Sequence, residues 1–237
     1  MELSPDSRIL WQWGQIGLNA TIVFTWVVMI FLSVGSWLIT RNLSSGGKIS
    51  RKQNLLESMV TFINEQIRST SRQAPERFLP FIGTLFLFIA VSNSLEIIPG
   101  FSPPTGSLST TAALAICVFI SVPFYGVMQQ GLSGYLKHYV KPSVFMMPFE
   151  VIGEFSRTLA LAVRLYGNIM SGTLIVGILL SLAPLFFPIL MQALGLLIGL
   201  IQAYIFAILA MVYIVSASSV HKHLEEEDEK AGKKTEG

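Results

Sequence analysis

The sequence predicts an all-α integral membrane protein: five membrane-embedded helices plus one interfacial amphipathic helix, the last two embedded helices forming a long, steeply tilted hairpin. Aliphatic and aromatic residues make up 52% of the 237 residues, and charged residues only 13%. Several uncharged stretches exceed the ~20 residues needed to cross a bilayer. The longest runs 56 residues, from Leu165 to Val220, without an Asp, Glu, Lys or Arg. The chain reads as one membrane domain over 1–237.

The first span is placed at 19–40, within 32 uncharged residues between Arg8 and Arg41, and Trp11, Trp13 and Trp37 suit interfacial positions. The region 50–72 differs in kind. Leu55, Leu56, Met59, Val60, Phe62, Ile63 and Ile67 recur at helical spacing among Arg51, Lys52, Glu57, Glu65 and Arg68, the pattern of a helix lying on the membrane surface. An ordinary soluble linker helix would carry the same pattern. Spans follow at 78–98 and 109–128, separated by a break at Pro99-Gly100 and a turn containing Pro103, Pro104, Thr105 and Gly106. A short basic loop holds Lys137, His138 and Lys141. Pro184 and Pro188 divide the remaining apolar mass into arms at 144–182 and 186–219. As helices these arms would run on the order of 50 to 60 Å against a ~30 Å core, so they must tilt, bend or protrude. Extreme tilt needs a protein neighbour. The acidic tail, 221–237, reads as a solvated, disordered end.

Lys and Arg placement sets the orientation. Seven lie between Arg41 and Arg77, two in the basic loop and four in the tail, against one at the N-terminus and none between Glu96 and Ser109. Five passes with the N-terminus outside and the C-terminus cytoplasmic satisfy this pattern. The net charge of +2 gives no basis for nucleic-acid binding. The lone Cys117 can form no internal disulfide, and no cleavable signal is evident. No internal repeat is visible, which counts against an inverted-repeat carrier.

Arg164 is the residue most in need of a reason, because a guanidinium at a membrane helix centre costs at least ~2.5 kcal/mol. An arginine near a helix end would simply snorkel to the headgroups. The apolar run 144–163 before it argues against that. Residues seven apart on a helix differ by ~20° and four apart by ~40°, so Glu150, Arg157, Arg164, Asn168 and Ser171 form one polar stripe. Glu154 lies off the stripe but within reach of Arg157, a pairing with a mostly structural reading. Gly167 and Gly172 permit close approach of another helix. In the last arm Gln202 and Tyr213, eleven residues apart, share a face to within ~20°. If the arms form an antiparallel hairpin, Arg164 and Gln202 lie at similar depth and could meet.

The runs Leu79-Pro-Phe-Ile-Gly-Thr-Leu-Phe-Leu-Phe-Ile, Asn93 to Gly100, Arg164-Leu-Tyr-Gly-Asn168 and Gln202-Ala-Tyr-Ile-Phe-Ala-Ile-Leu-Ala resemble subunit a of the F-type ATP synthase membrane sector. The resemblance covers about Leu79 to Tyr213 well and implies an ion-translocating stator of a rotary motor. It implies that Arg164 is the essential arginine facing a ring of c subunits, with Gln202 its partner and Asn168 the polar neighbour. Glu150, Glu154, Glu96, Thr173, Ser107 and Tyr213 are channel candidates. Implied partners are the c-ring, peripheral-stalk b subunits, the coupling ion and the bilayer. The subunit is expected not to be an enzyme by itself, with no cofactor and no certain metal site. A bacterial plasma membrane is the expected location, with a thylakoid-type membrane the alternative.

Many proton-type members of that family have Glu at the position of Thr173 and Asp at that of Ser107. Here both are hydroxyls, and the sequence as a whole resembles the a subunits of the alternative, N-type ATPases, which together tilt the expected ion from H⁺ slightly toward Na⁺, a hard cation suited to oxygen ligands. A secondary ion or solute transporter and a purely structural membrane subunit are the competing classes.

Overall fold

The computed structural model describes residues 9–13, 16–41, 51–70, 77–98, 100–140, 147–182 and 187–235. Two short antiparallel strands, β1 (Ile9–Trp13) and β2 (Ile16–Asn19), precede the first helix. No sequence signal sets this strand pair apart, because its residues belong to the same uncharged run as the first span. Helix α1 (Ala20–Thr40) then follows the expected first span. It is almost wholly apolar and largely exposed, with Trp26, Met29, Ile30, Phe31 and Trp37 all more than half accessible. Near its end the Arg41 guanidinium lies 5.1 Å from the Trp37 ring, joining a cation to an aromatic of the kind found at membrane interfaces.

Helix α2 (Arg51–Thr70) is the amphipathic segment. Its inward face is narrow: Ile63 and Ile67 are buried, whereas Met59, Val60 and Phe62 are exposed. Gly83 on the next helix leaves room for Ile63, whose Cδ1 would lie 3.9 Å from a Cβ placed there. Phe62 also stacks obliquely near Tyr204, whose hydroxyl donates to Gln66 Oε1 at 2.8 Å.

The core is built from α3 (Leu79–Ser94), α4 (Leu108–Val140), α5 (Met147–Leu182) and α6 (Phe187–Thr235). Pro80 sits in the first turn of α3, where its missing N–H breaks no helical bond. Ile82, Leu85 and Ile89 of α3 pack with Ala115, Val118 and Val122 of α4, Leu161 and Leu165 of α5, and Phe206, Ala210 and Ile214 of α6. Between α3 and α4 the chain makes two 3-10 turns, Leu95–Ile97 and Pro104–Gly106. Gly100 takes φ 91° there, a left-handed conformation that disfavours side chains.

Two boundaries differ from expectation. The apolar span Leu108–Gln129 matches the expected 109–128, but the helix does not stop there: helical backbone resumes after Gly131 and reaches Val140, so Lys137 and His138 lie in helix rather than in a loop. Gly131, at φ 73° and ψ 163°, supplies the break. The tail expected to be disordered continues α6 to Thr235. Glu226 and Glu229 precede Lys230 and Lys233 by four residues, a spacing that supports a helix once one has begun. Residues 50, 71–72, 144–146, 183–186 and 236–237, together with Pro99 and Lys141, lie outside the described residues. Pro184, expected to divide the two arms, is among them.

Among the described residues, five helices are long and apolar enough to cross a membrane: Ala20–Leu38, Leu79–Ile97, Leu108–Gln129, Pro148–Ser181 and Ile189–Ala217. The last two contain 34 and 29 residues. At ~1.5 Å per residue both exceed a ~30 Å hydrocarbon core.

Candidate functional site

Helix α5 has two unlike faces. Leu161, Ala162, Leu165 and Ile169 are buried against the bundle. Glu150, Arg157, Arg164, Asn168 and Ser171 are all exposed, so the polar stripe runs along the outside of the bundle rather than through its core. Its surroundings are apolar, with Phe155, Leu159 and Val163 exposed beside it. Arg164 is the seventeenth of the 34 residues in Pro148–Ser181, and Gln202 the fourteenth of the 29 in Ile189–Ala217. Both lie at the middle of their apolar stretches, which places Arg164 far from a helix end. Among the described residues, no side chain makes a hydrogen bond or ion pair with its guanidinium.

Arg164 and Gln202 do not bond to each other in this structure. Asn168, one turn beyond Arg164, donates from Nδ2 to Gln202 Oε1 at 2.7 Å and joins α5 to α6. Gln202 is 2% exposed, and its Nε2 has no hydrogen-bond partner among the described residues. The carboxamide is thus held by its oxygen with its donor free. At the other end of the stripe the Arg157 guanidinium lies 5.9 Å from the Tyr213 ring, so the shared face of Gln202 and Tyr213 does turn toward α5. Glu154 is half-buried, and its backbone carbonyl accepts from Thr158 Oγ1 at 3.0 Å.

A cavity of about 440 Å³ opens between the 95–106 turns, α5 and α6. Glu96, Asn168, Ser171, Thr173 and Gln192 provide much of its polar lining. Asn168 therefore belongs both to the cavity wall and to the bond with Gln202. Three of the sequence-derived candidates, Glu96, Asn168 and Thr173, meet at this cavity; Arg164, Gln202, Ser107, Glu150, Glu154 and Tyr213 are not in its wall. Ser107 is fully buried, and its hydroxyl lies 2.6 Å from Ser109 Oγ. Thr173 Oγ1 donates to the Ile169 carbonyl at 2.9 Å, leaving its lone pairs available.

Residues 22–215 match the family described as ATP synthase A chain. The chain belongs to the ATP synthase subunit a family. It is 63% identical to "ATP synthase subunit a 2" of Acaryochloris marina over 94% of this chain and 95% of that protein. It is 60% identical to "ATP synthase subunit a" of Albidiferax ferrireducens over 97% of this chain and 100% of that one. A 57% identity to "ATP synthase subunit a 1" of Crocosphaera subtropica covers 94% and 96%. A subunit a is a membrane component of the synthase and not by itself its catalytic part. Family membership and five apolar helices make this a multi-pass integral membrane protein.

Asn93, Thr105 and Gly199 were not singled out from sequence as site residues. Asn93 is buried in α3, its Nδ2 donating to the Gly199 carbonyl at 2.8 Å and its Oδ1 accepting from Thr105 Oγ1 at 2.6 Å. A Cβ on Gly199 would stand 2.9 Å from Asn93 Cβ. A lone Asn within an apolar span was the available signal, but it does not identify its partners.

Proposed function

We propose that this subunit is the ion-translocating stator of a rotary F-type ATP synthase, with α5 and α6 forming a tilted hairpin against the c-ring and b subunits bound at the periphery. The observation that carries the reading is Arg164, mid-stretch on an outward apolar face. A permanent charge there requires an anionic partner from another chain, and a ring carboxylate supplies one. Among the described residues, no atom outside their own stretch of helix lies within 4 Å of where a Cβ on Gly153 or Gly167 of α5 would stand, leaving space for a neighbouring helix.

In this mechanism each ring carboxylate is neutralised by the coupling ion while it faces lipid. The cavity leading from Glu96 past Thr173 to Asn168 is one half-channel. Glu150 and Glu154, at the opposite end of the stripe near Arg157 and Tyr213, belong to the other. Arg164 lies between them, attracts the emptied carboxylate and prevents ions from running directly between the half-channels. Each ion crossing ~100 mV releases ~2.3 kcal/mol to turn the ring.

Arg164→Gln is expected to leave the complex assembled while abolishing ATP-driven pumping and ion-driven synthesis. Retained pumping would overturn the mechanism and favour a purely structural subunit.

The hydroxyls of Ser171 and Thr173 in the cavity wall favour Na⁺ as the coupling ion, while Ser107 lies outside that wall with its hydroxyl 2.6 Å from Ser109 Oγ. Glu96 in the same cavity is the observation that favours H⁺. ATP-driven ²²Na⁺ uptake by the reconstituted complex decides between them. Uptake that persists with a protonophore establishes Na⁺ transport, whereas its absence beside protonophore-sensitive acidification establishes H⁺. The distribution of basic residues supports an N-terminus outside and a C-terminus in the cytoplasm.

A further inference from the structure

We infer that Asn93 is a positioning residue for ion translocation: it clamps α6 at Gly199 and the Thr105 turn so that Gln202, one helical turn on, meets Asn168. The inference rests on the proposed role of Gln202 and Asn168.

The Asn93 carboxamide is 1% exposed and uses both ends. Nδ2 donates to the Gly199 carbonyl at 2.8 Å, and Oδ1 accepts from Thr105 Oγ1 at 2.6 Å. Gly199 lies three residues before Gln202 and therefore on a neighbouring part of the same helical face. Its missing side chain is what permits the contact, since an added Cβ would lie 2.9 Å from Asn93 Cβ, 3.2 Å from Nδ2 and 3.3 Å from Cγ. An apolar interface between α3 and α6 would tolerate small rotations and slides of α6, because packing contacts of similar quality recur as a helix turns. A directed amide bond onto one backbone carbonyl tolerates neither.

The consequence reaches the site by a short path. Gln202 offers Oε1 to Asn168 at 2.7 Å, a bond lost by a rotation that displaces the carboxamide by about 1 Å. The other end of the clamp holds Thr105, in the turn whose Pro103 and Gly106 line the cavity together with Asn93 itself. One side chain therefore fixes both α6 and a wall of the cavity.

The test uses the assembled, reconstituted complex, with ATP-driven pumping measured per complex. Asn93→Leu keeps the branching at Cγ and the number of side-chain heavy atoms and removes both hydrogen bonds, and Asn93→Ala, which removes them without added bulk, serves as its control. Both are expected to assemble and to pump about tenfold more slowly, within the range that an ångström-scale displacement produces. A further variant exchanges the glycine, Gly199→Ala with Asn93→Gly, which relieves the steric conflict and restores no bond. It is expected to assemble but to remain slow. Wild-type turnover in any of these variants would overturn the inference, as would failure of all of them to assemble, which would make Asn93 a packing residue only. If Arg164→Gln abolishes pumping while these variants pump normally, this inference alone fails. If Arg164→Gln pumps, the stator mechanism fails with it.

Discussion

Arg157 and Tyr213 offer a direct measure of how a charge is accommodated on the α5 stripe. The guanidinium at 5.9 Å from the ring is within cation–π range, which contributes about 0.5–1 kcal/mol at exposed sites. Tyr213→Leu should destabilise the solubilised complex by about that much, whereas Tyr213→Phe, which keeps the ring, should change its thermal midpoint little. Asn168→Leu should be more damaging to function. It leaves Gln202 Oε1 buried without its donor, a loss of about 1–3 kcal/mol, and should slow ATP-driven pumping by roughly tenfold or more. The mid-stretch position of Arg164 was legible in the sequence, because the apolar runs on both sides of the charge can be read directly. The meeting of Asn168 with Gln202 was not, because it depends on the relative register of two helices whose connecting residues are apolar and give no register signal. Asn93 was hidden for a related reason: its partners are a backbone carbonyl 106 positions away and a hydroxyl beyond a turn.

Among the elements, α2 shows how little of an amphipathic stripe must be buried to dock a helix. Ile67 is 1% exposed and Val60 is 40% exposed on the same helix. Ile67→Ala should cost about 2–5 kcal/mol and expose α2 to protease, while Val60→Ala should have an effect within about 0.5 kcal/mol. Gly131→Ala should strain the break in α4 by about 1–3 kcal/mol, because φ 73° with ψ 163° is a region open essentially to glycine. A lowered thermal midpoint of the complex would register it. Helix existence was readable from apolar length and periodicity, and the starts of α1 and α3 fall within one residue of expectation. The ends of α4 and α6 were not readable, since charged residues mark where a chain leaves hydrocarbon and do not mark where a helix stops. The β1–β2 pair was masked by its shared apolar composition with α1.

At the level of the whole molecule, the proposed orientation has each of the five apolar helices crossing once, with the two termini on opposite sides of the membrane. In a Cys117→Ser background, Ser4→Cys should react with an impermeant maleimide added to intact cells, and Lys234→Cys should react only after the membrane is opened. The reverse pattern would overturn the proposed orientation. Arg164 also bears on the order in which the complex is built. An unassembled copy would present its guanidinium to lipid, with a penalty of at least about 2.5–3.5 kcal/mol on insertion scales, relieved by snorkelling and local water defects at the expense of a deformed bilayer. That penalty disappears when a counter-charge arrives, so it acts as a thermodynamic bias toward late incorporation, after the ring. A copy made early is correspondingly disfavoured, and its lifetime in the membrane should lengthen when ring subunits are co-expressed.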